Sequence, residues 1–589
     1  MLRSMTIPAL LSEQVARALK GILGDDLPAD FKVAVTASQD LRFGDYQTNA
    51  AMVLAKQVRT NPRELAGKVI EALSQAQLPA TVEIAGPGFI NFRVLPEHYA
   101  ARMLSMISDA RLGVPVADTP KSIVIDFSAP NVAKPMHVGH IRSTIIGDTL
   151  ARLARFMGHK VITDNHIGDW GTQFGMILWG WKNILDHARL ESDPIDALLG
   201  VYKEVNKRCK EQPELLAECK IELVKLQSGD AENLAIWKRC IEVTKVGLEK
   251  IYSQLDIRFD YWLGESFYND ALEPLVNDLL AKGIATVSDG AVCVFSDGFH
   301  KPQQDPFLVS KDGEWQPVPA IIRKADGGFL YATTDLATLD YRTSHFNADS
   351  IWYVVGAPQE KHFKQIFDIE RMRGVHGDFR HVAFGSILGQ DRKPFKTRGG
   401  ETVNLQEVID EAIARAMRVV DEKSPDMPAD EKARVAQAVG VGAIKFAELS
   451  QNRLSDYIFD WDKMLALTGD TAPYLQNSYV RVRSIFRKLD APYSAPDSLQ
   501  LTEDAELHLA RILSRYGEIV PSTLDDCRPN ILAAYLYDLA RAFHSFYEAC
   551  PVLKSDGSVR TARLTLCELT ARVLKQGMGL FGIEMPDRM

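Results

Sequence analysis

The sequence predicts an α/β protein in three parts: a small α/β unit, a central parallel-sheet domain, and an all-helical C-terminal region. Two observations carry this. Between Lys121 and Asp164 a β-branched run, a helical apolar periodicity and a second strand-like run follow one another. That order and spacing is a strand–helix–strand unit, whose two strands lie parallel. From about Leu405 to the end the pattern is almost wholly helical.

Composition sets the outer limits. A chain of 589 residues has room for about three or four domains and a large core. Hydrophobic residues at 46% and charged residues at 25% fit an ordinary globular protein. A net charge of −9 excludes a uniformly basic coat for nucleic acid, though not a local basic face. The seven cysteines are scattered and form no CxxC pair, which argues against a disulfide framework or a zinc site and for a reducing cytoplasm. The opening MLRSMTIPALLSEQ has no secretory apolar segment, since Glu13 interrupts it. No run of about 18 apolar residues suggests a membrane span.

In the first unit a helix over Leu10–Leu23 leads to a strand near Phe31–Thr36. The run Gly44-Asp45-Tyr46-Gln47-Thr48-Asn49 then reads as a cap and turn opening a helix through Lys56. Pro62 suits the first turn of another helix. Glu83–Ala85 and Phe89–Val94 read as strands around the Gly86-Pro87-Gly88 turn.

The central stretch opens with a buried strand at Ile123–Phe127. Pro130 and Pro135 keep Ser128–Val138 irregular. From Gly139 a helix is expected, with Ile146, Leu150, Leu153 and Met157 on one face and Gly158 at its end. His137-Val138-Gly139-His140 therefore sits where the helix begins. Free N–H groups and the positive dipole end suit phosphate there, and Gly139 admits a close approach. Lys134 and the two histidines add donors for a reacting phosphate. Two histidines at a helix start are otherwise caps or surface residues.

The second strand, Lys160–Asp164, is followed by His166-Ile167-Gly168-Asp169-Trp170-Gly171, a glycine-rich turn or part of the cleft beyond the strand ends. Residues 194–264 read as a charged helical insertion with no nameable chemistry, and 289–309 as strand and turn. Tyr331-Ala332-Thr333-Thr334-Asp335 begins a helix, and four-residue spacing puts Tyr331 and Asp335 on one face. The aspartate caps the helix or holds a cationic substrate. Ile351–Gly356 is an apolar strand with Gln359 just past its end. Residues 387–400, ILGQDRKPFKTRGG, form a basic loop that is an exposed hairpin or a phosphate clamp through Lys393, Lys396 and Arg398.

In the helical region, Ser478–Lys488 interleaves Arg481, Arg483, Arg487 and Lys488 with Tyr479 and Phe486. This is a solvated amphipathic helix or an RNA-contacting one. Tyr535–Tyr547 is aromatic-rich and reads as core. The change of patterning near Leu465 implies that a catalytic core would stay folded without the helices C-terminal to it.

Together these residues resemble class I aminoacyl-tRNA synthetases, and specifically the arginyl-tRNA synthetase family. His137-Val138-Gly139-His140 resembles the HIGH signature. SAPNVAKPMHVGHIRSTIIGD, HIGDWGTQFG, YATTD, the Gln359 strand end and KPFKTRGG match in order. GDYQTN and GPGFINF resemble the family's N-terminal domain, and SYVRVRSI its anticodon-binding domain. The KMSKS signature is degenerate: aligned through Phe395-Lys396-Thr397-Arg398, a threonine stands where the second lysine is expected. The resemblance implies that Lys134 takes over that charge.

The resemblance implies a Rossmann-like catalytic domain over 117–404, inserted at about 194–264. It also implies an N-terminal tRNA-binding domain over 1–116, a helical connection over 405–465 and a DALR-type domain over 466–589. The implied reaction is ATP-dependent attachment of arginine to tRNA(Arg), with Mg2+ accompanying ATP and no protein-held structural metal. Lys134, His137, His140 and Lys396 would be catalytic. Gly139, Phe395 and Arg398 would join them at ATP. Asn131 and Gln359 would hold the amino and carboxylate end of arginine, with Asp126, Tyr331 and Asp335 around its side chain. Tyr479, Arg481, Arg483 and Arg487 would contact tRNA. The enzyme is expected to be a cytoplasmic monomer. A nucleotidyltransferase for a small metabolite also uses HxGH at a helix start, but it would not need the basic helical C-terminus.

Overall fold

The structure is a computed structural model that describes residues 5–76, 78–171, 173–389, 391–393 and 403–589. Its centre is a parallel sheet that, among the described residues, has four strands. Their order is Asp378–His381, Ser350–Tyr353, Ser122–Asp126 and Lys160–Asp164. The inner two strands are apolar because helices cover both their faces. The register aligns Asp126 with Tyr353 on one side and Asp164 on the other, so all three strands end at one edge. The Ile141–Phe156 helix crosses between the first two strands in sequence, as the spacing predicts, and buries Ile146, Leu150, Leu153 and Met157. It lies close on the sheet because residue 147 is glycine: a Cβ there would stand 2.2 Å from the Phe127 ring.

The N-terminal unit is an antiparallel sheet faced by helices Ala50–Gln57 and Pro62–Ser74, with helix Ile7–Leu23 packed on the latter. Two expectations need correction here. The strand near Phe31–Thr36 shrinks to Thr36–Ala37, because only these residues find a ladder partner, at Tyr46 and Gln47. Tyr46–Thr48 is itself a strand, paired with Ile90–Phe92, rather than a helix cap. The next helix starts at Ala50, with no side-chain bond from its capping residue Asn49.

The inserted helices Pro194–Glu211, Pro213–Gln227 and Ala231–Gln254 pack with Gln173–Asn183 into satellite cores. The C-terminal region is helical, as expected, and Tyr535, Phe543 and Phe546 are core residues. That region does not stand apart, however. One continuous apolar core runs from Ile7 through Phe127 and Leu150 to Met585. Lys445 Nζ donates to Gly582 O at 2.8 Å, and Gln476 Nε2 donates to Ala438 O and Glu584 O. This packing argues against the expectation of a catalytic core that folds without the helices after Leu465, since removing them would open this core to water.

The first and last parts of the chain are also clasped directly. Asp45 Oδ1 accepts from Arg511 Nε at 2.5 Å, while its Oδ2 accepts from the Val94 N–H at 2.7 Å. Tyr46 OH donates to Glu518 Oε1 at 2.7 Å. Arg572 donates to the carbonyls of Ile107 and Asp109 at the end of helix Pro96–Ile107. The sequence run read as a turn thus carries an interdomain contact. All seven cysteines are buried and free. Among the described residues no helix is long and apolar enough to cross a membrane.

Candidate functional site

The loop leaving the central strand is held in a costly conformation. Ser128, Ala129 and Ala133 have φ of +75°, +44° and +59°, values that cost roughly 1–3 kcal/mol each for residues with a side chain. Hydrogen bonds from three separate elements hold them. The Ser128 N–H donates to Ser143 Oγ at 2.8 Å, the Ala129 N–H to Asn165 Oδ1 at 3.1 Å and the Ala133 N–H to Thr244 Oγ1 at 3.0 Å. Ser128 Oγ shares a further hydrogen bond of 2.7 Å with Tyr252 OH. Thr244 and Tyr252 belong to the insertion. So does Tyr202, whose ring lies 4.6 Å below Lys134 Nζ. Trp237 Nε1 donates to Asp169 O in the HIGDWG turn. The insertion was expected to carry no chemistry, yet it forms the wall that holds the loop and its lysine.

Asn131 forms a parallel bridge with Gly168, flanked by the Val132 N–H to Gly168 O and the Gly168 N–H to Pro130 O. A Cβ on residue 168 would lie 2.4 Å from Asn131 Oδ1. The HIGDWG stretch is thus joined to the SAPNVA loop, with the missing side chain making room for an exposed asparagine.

The two histidines cap one another. The Gly139 N–H donates to His137 Nδ1 at 3.1 Å, and the His137 N–H donates to His140 Nδ1 at 3.2 Å. Their rings lie 4.0 Å apart. Because each Nδ1 accepts, the ring hydrogen of each neutral imidazole must be on Nε2. Burial, with Lys134 nearby, lowers the pKa of His137. Burial and the neighbouring His137 lower that of His140 to about 4, against a weaker opposing effect of its backbone hydrogen bond. Both rings are therefore neutral donors at pH 7. Burial also lowers the ammonium pKa of Lys134. The Val138 N–H donates to Val403 O and the Leu405 N–H to Met136 O, so the segment just after the basic loop is anchored beside the histidines. Phe395, Lys396 and Arg398 lie outside the described residues; Lys393 is exposed.

Across the mouth, Asp126 is buried, and its Oδ2 accepts from Arg342 Nη2 at 2.7 Å. The same nitrogen donates to Asp164 Oδ2 at 2.8 Å. Burial raises the Asp126 pKa against the opposing pull of Arg342. The Arg342 guanidinium also faces the Tyr353 ring at 5.2 Å. Sequence reasoning missed Arg342, although its signal was present: two adjacent strands, IVID and VITD, both end in a carboxylate and need a buried cation between them.

Tyr331 opens the Tyr331–Ser344 helix and is 61% exposed. Asp335 does not cap this helix: the capping residue is Leu330, and Asp335 lies in the interior. Its Oδ2 accepts from His362 Nε2 at 2.5 Å. Gln359 is exposed and ends a short 3-10 turn, immediately before the Glu360–Arg373 helix that carries His362. Lys134, His137 and His140 thus follow the Ser122–Asp126 strand, while Tyr331, Asp335 and Gln359 flank the neighbouring Ser350–Tyr353 strand.

The basic helix of the C-terminal region, Ala472–Arg487, departs from expectation at one residue. Tyr479 is 3% exposed and its OH donates to Asp587 Oδ1, so its ring offers no face for a base to stack on. Its position turns it toward the Gly557–Leu580 helix, where the apolar side of the amphipathic pattern must go. Arg483 pairs with Glu568 at 3.0 Å. Arg481 and Arg487 are exposed and bond to His544 Nδ1 and Asp587 O. Beside them is an open cleft of about 830 Å³, lined in part by Tyr474, His508, Arg541 and His544.

Comparison with known proteins covers the whole chain. The family model described as tRNA synthetases class I (R), catalytic domain, matches residues 103–461. The Arginyl tRNA synthetase N terminal domain matches 9–94 and the DALR anticodon binding domain 475–589. The chain is 44% identical to proteins named arginine–tRNA ligase from Laribacter hongkongensis and Cellvibrio japonicus, over 99% of this chain and 100% of each relative. The crystal structure of arginyl-tRNA synthetase from Plasmodium falciparum superposes with a TM-score of 0.82 at 27% identity, covering 100% of both chains.

Proposed function

The chain belongs to the arginyl-tRNA synthetase family, and from that premise we infer that the sheet mouth joins arginine to the 3′ end of tRNA(Arg) in two steps. In the first, the arginine carboxylate attacks the ATP α-phosphate and pyrophosphate leaves. In the second, a terminal ribose hydroxyl of the tRNA takes the arginyl group and AMP leaves. One observation supports this above the others. A pair of neutral imidazole donors and a lysine follow the end of one sheet strand, and Asp335 and Gln359 flank the strand paired beside it.

The chemistry follows from the donor types. His137 and His140 offer Nε2–H donors to phosphate oxygens without adding a mobile charge, and Lys134 supplies the positive charge. Such preorganised donors stabilise charge that grows on the phosphate during transfer. Imidazoles and an ammonium are not the oxygen ligands that Mg2+ prefers, so Mg2+ would be held by the phosphates of ATP itself. Asn131 and Gln359 take the amino and carboxylate end of arginine. Tyr331 and Asp335 take the guanidinium, whose planar fork of donors matches a carboxylate and a phenol oxygen. Asp126, already bonded to Arg342 through one oxygen, contributes negative potential at the base of the corner. Phe395, Lys396 and Arg398 complete the phosphate side.

For tRNA, Arg481, Arg483 and Arg487 remain phosphate contacts. We place base stacking on the cleft beside them, at Tyr474 and His544, whose rings lie 5.6 Å apart. Free, buried cysteines fit a reducing cytoplasm, and the enzyme is taken to act as a monomer. The decisive experiment is a charging assay with total tRNA and each amino acid in turn. Arginine alone should be attached, with AMP and pyrophosphate formed in equal amounts; charging of another amino acid, or none, would overturn the reading.

A further inference from the structure

Asp335 and Tyr331 are one helical turn apart, yet nothing within their own helix fixes either side chain toward the mouth. The group that touches both is His362. Its Nε2 lies 2.5 Å from Asp335 Oδ2, and its ring meets the Tyr331 ring edge to face, with centroids 4.8 Å apart at 62°. A carboxylate oxygen only accepts here, so Nε2 carries the hydrogen and the imidazole is the donor. The pair is largely shielded from water, with side-chain exposures of 13% for His362 and 17% for Asp335. His362 is itself held, its ring lying 5.2 Å from that of Phe363, a core residue. It stands three residues after Gln359, in the first turn of the next helix. One turn of chain thus supports both ends of the proposed substrate site.

We propose that His362 is a positioning residue for amino-acid specificity. It binds Oδ2 of Asp335, so that the other oxygen is the one presented to a guanidinium, and it sets the tilt of the Tyr331 ring beside it. The proposal rests on the reading of Tyr331 and Asp335 as the guanidinium site. It adds a residue that makes no substrate contact of its own and acts through two that do. A carboxylate freed from its donor samples several rotamers, and only a fraction of them faces the ligand. The loss should therefore appear in arginine binding and not in the phosphate chemistry.

The test is steady-state charging by the full-length protein with arginine and ATP varied separately. His362→Ala should raise the arginine KM about tenfold or more, the weight of a charge-assisted hydrogen bond, while kcat and the ATP KM stay within about threefold. His362→Gln, long enough to donate to Oδ2, should recover most of the loss. His362→Asn, too short to reach, should not, and this pair carries the test if the alanine variant does not fold. In an Asp335→Asn background, His362→Ala should add little, because the two act as one unit. An unchanged arginine KM in His362→Ala would overturn the proposal, as would equal defects in the glutamine and asparagine variants or additive losses in the double variant. Failure of the reading beneath it looks different: Asp335→Asn would itself leave the arginine KM unchanged, or the wild-type protein would not charge arginine.

Discussion

At the scale of single residues, the two signature histidines act by being neutral. His140 has a folded pKa near 4, against an ordinary value of 6.5. Between those values the unfolded chain binds the extra proton, so stability falls as pH falls through that window and is complete above it. The expected loss from this one ring is about 2 kcal/mol between pH 7 and pH 5. His140→Asn keeps an acceptor for the His137 N–H but cannot titrate. Urea denaturation at the two pH values should show the wild type losing that much more than the variant. Equal losses in both would mean that His140 is not buried neutral. Residue types were readable from sequence here, because a helix start next to a strand end limits where a histidine can point. The partner of each side chain was not readable. Asp335 looked like a cap because spacing along one helix says nothing of a histidine on the next, and Tyr479 looked like a stacking surface because its neighbours were basic.

At the scale of elements, periodicity identified the central strands and the long helices, since burial on both faces of a sheet leaves little freedom in residue type. It failed where pairing decides structure. Tyr46–Thr48 is a strand because Ile90–Phe92 lies beside it, a fact absent from the local sequence. The inserted helices looked inert for a similar reason: Tyr202, Thr244 and Trp237 act on loops far away in the chain. The bridge between the SAPNVA loop and the HIGDWG turn gives a prediction at this scale. Gly168→Ala places a methyl group 2.4 Å from Asn131 Oδ1 and must turn that side chain aside. Gly168 has an ordinary backbone conformation, so the cost falls on the neighbour and not on the fold. The arginine KM should rise about tenfold with a melting temperature within a few degrees of wild type. A normal KM would detach Asn131 from the substrate.

At the scale of the whole molecule, the parts were readable as parts, but their assembly was not. The helical C-terminus looked separable because its patterning changes near Leu465, whereas the structure runs one core through all the parts. The Asp45–Arg511 and Tyr46–Glu518 contacts make the first and last units a single body. Asp45→Asn keeps the shape but removes the charge facing Arg511, and should lower stability by about 2–4 kcal/mol. Because the disturbance is remote from the sheet mouth, the tRNA KM should rise while the arginine and ATP KM values hold; the opposite pattern would place the clasp in catalysis. The clasp also sets a timetable. Its two sides are 466 residues apart in the chain. At about 5–20 residues per second, the ribosome needs roughly 20–90 s to make the second side after the first. Until those residues emerge, Met103 and Met106 lack the C-terminal helices on which their own helix docks, and the partly made chain exposes apolar surface of the kind that chaperones bind.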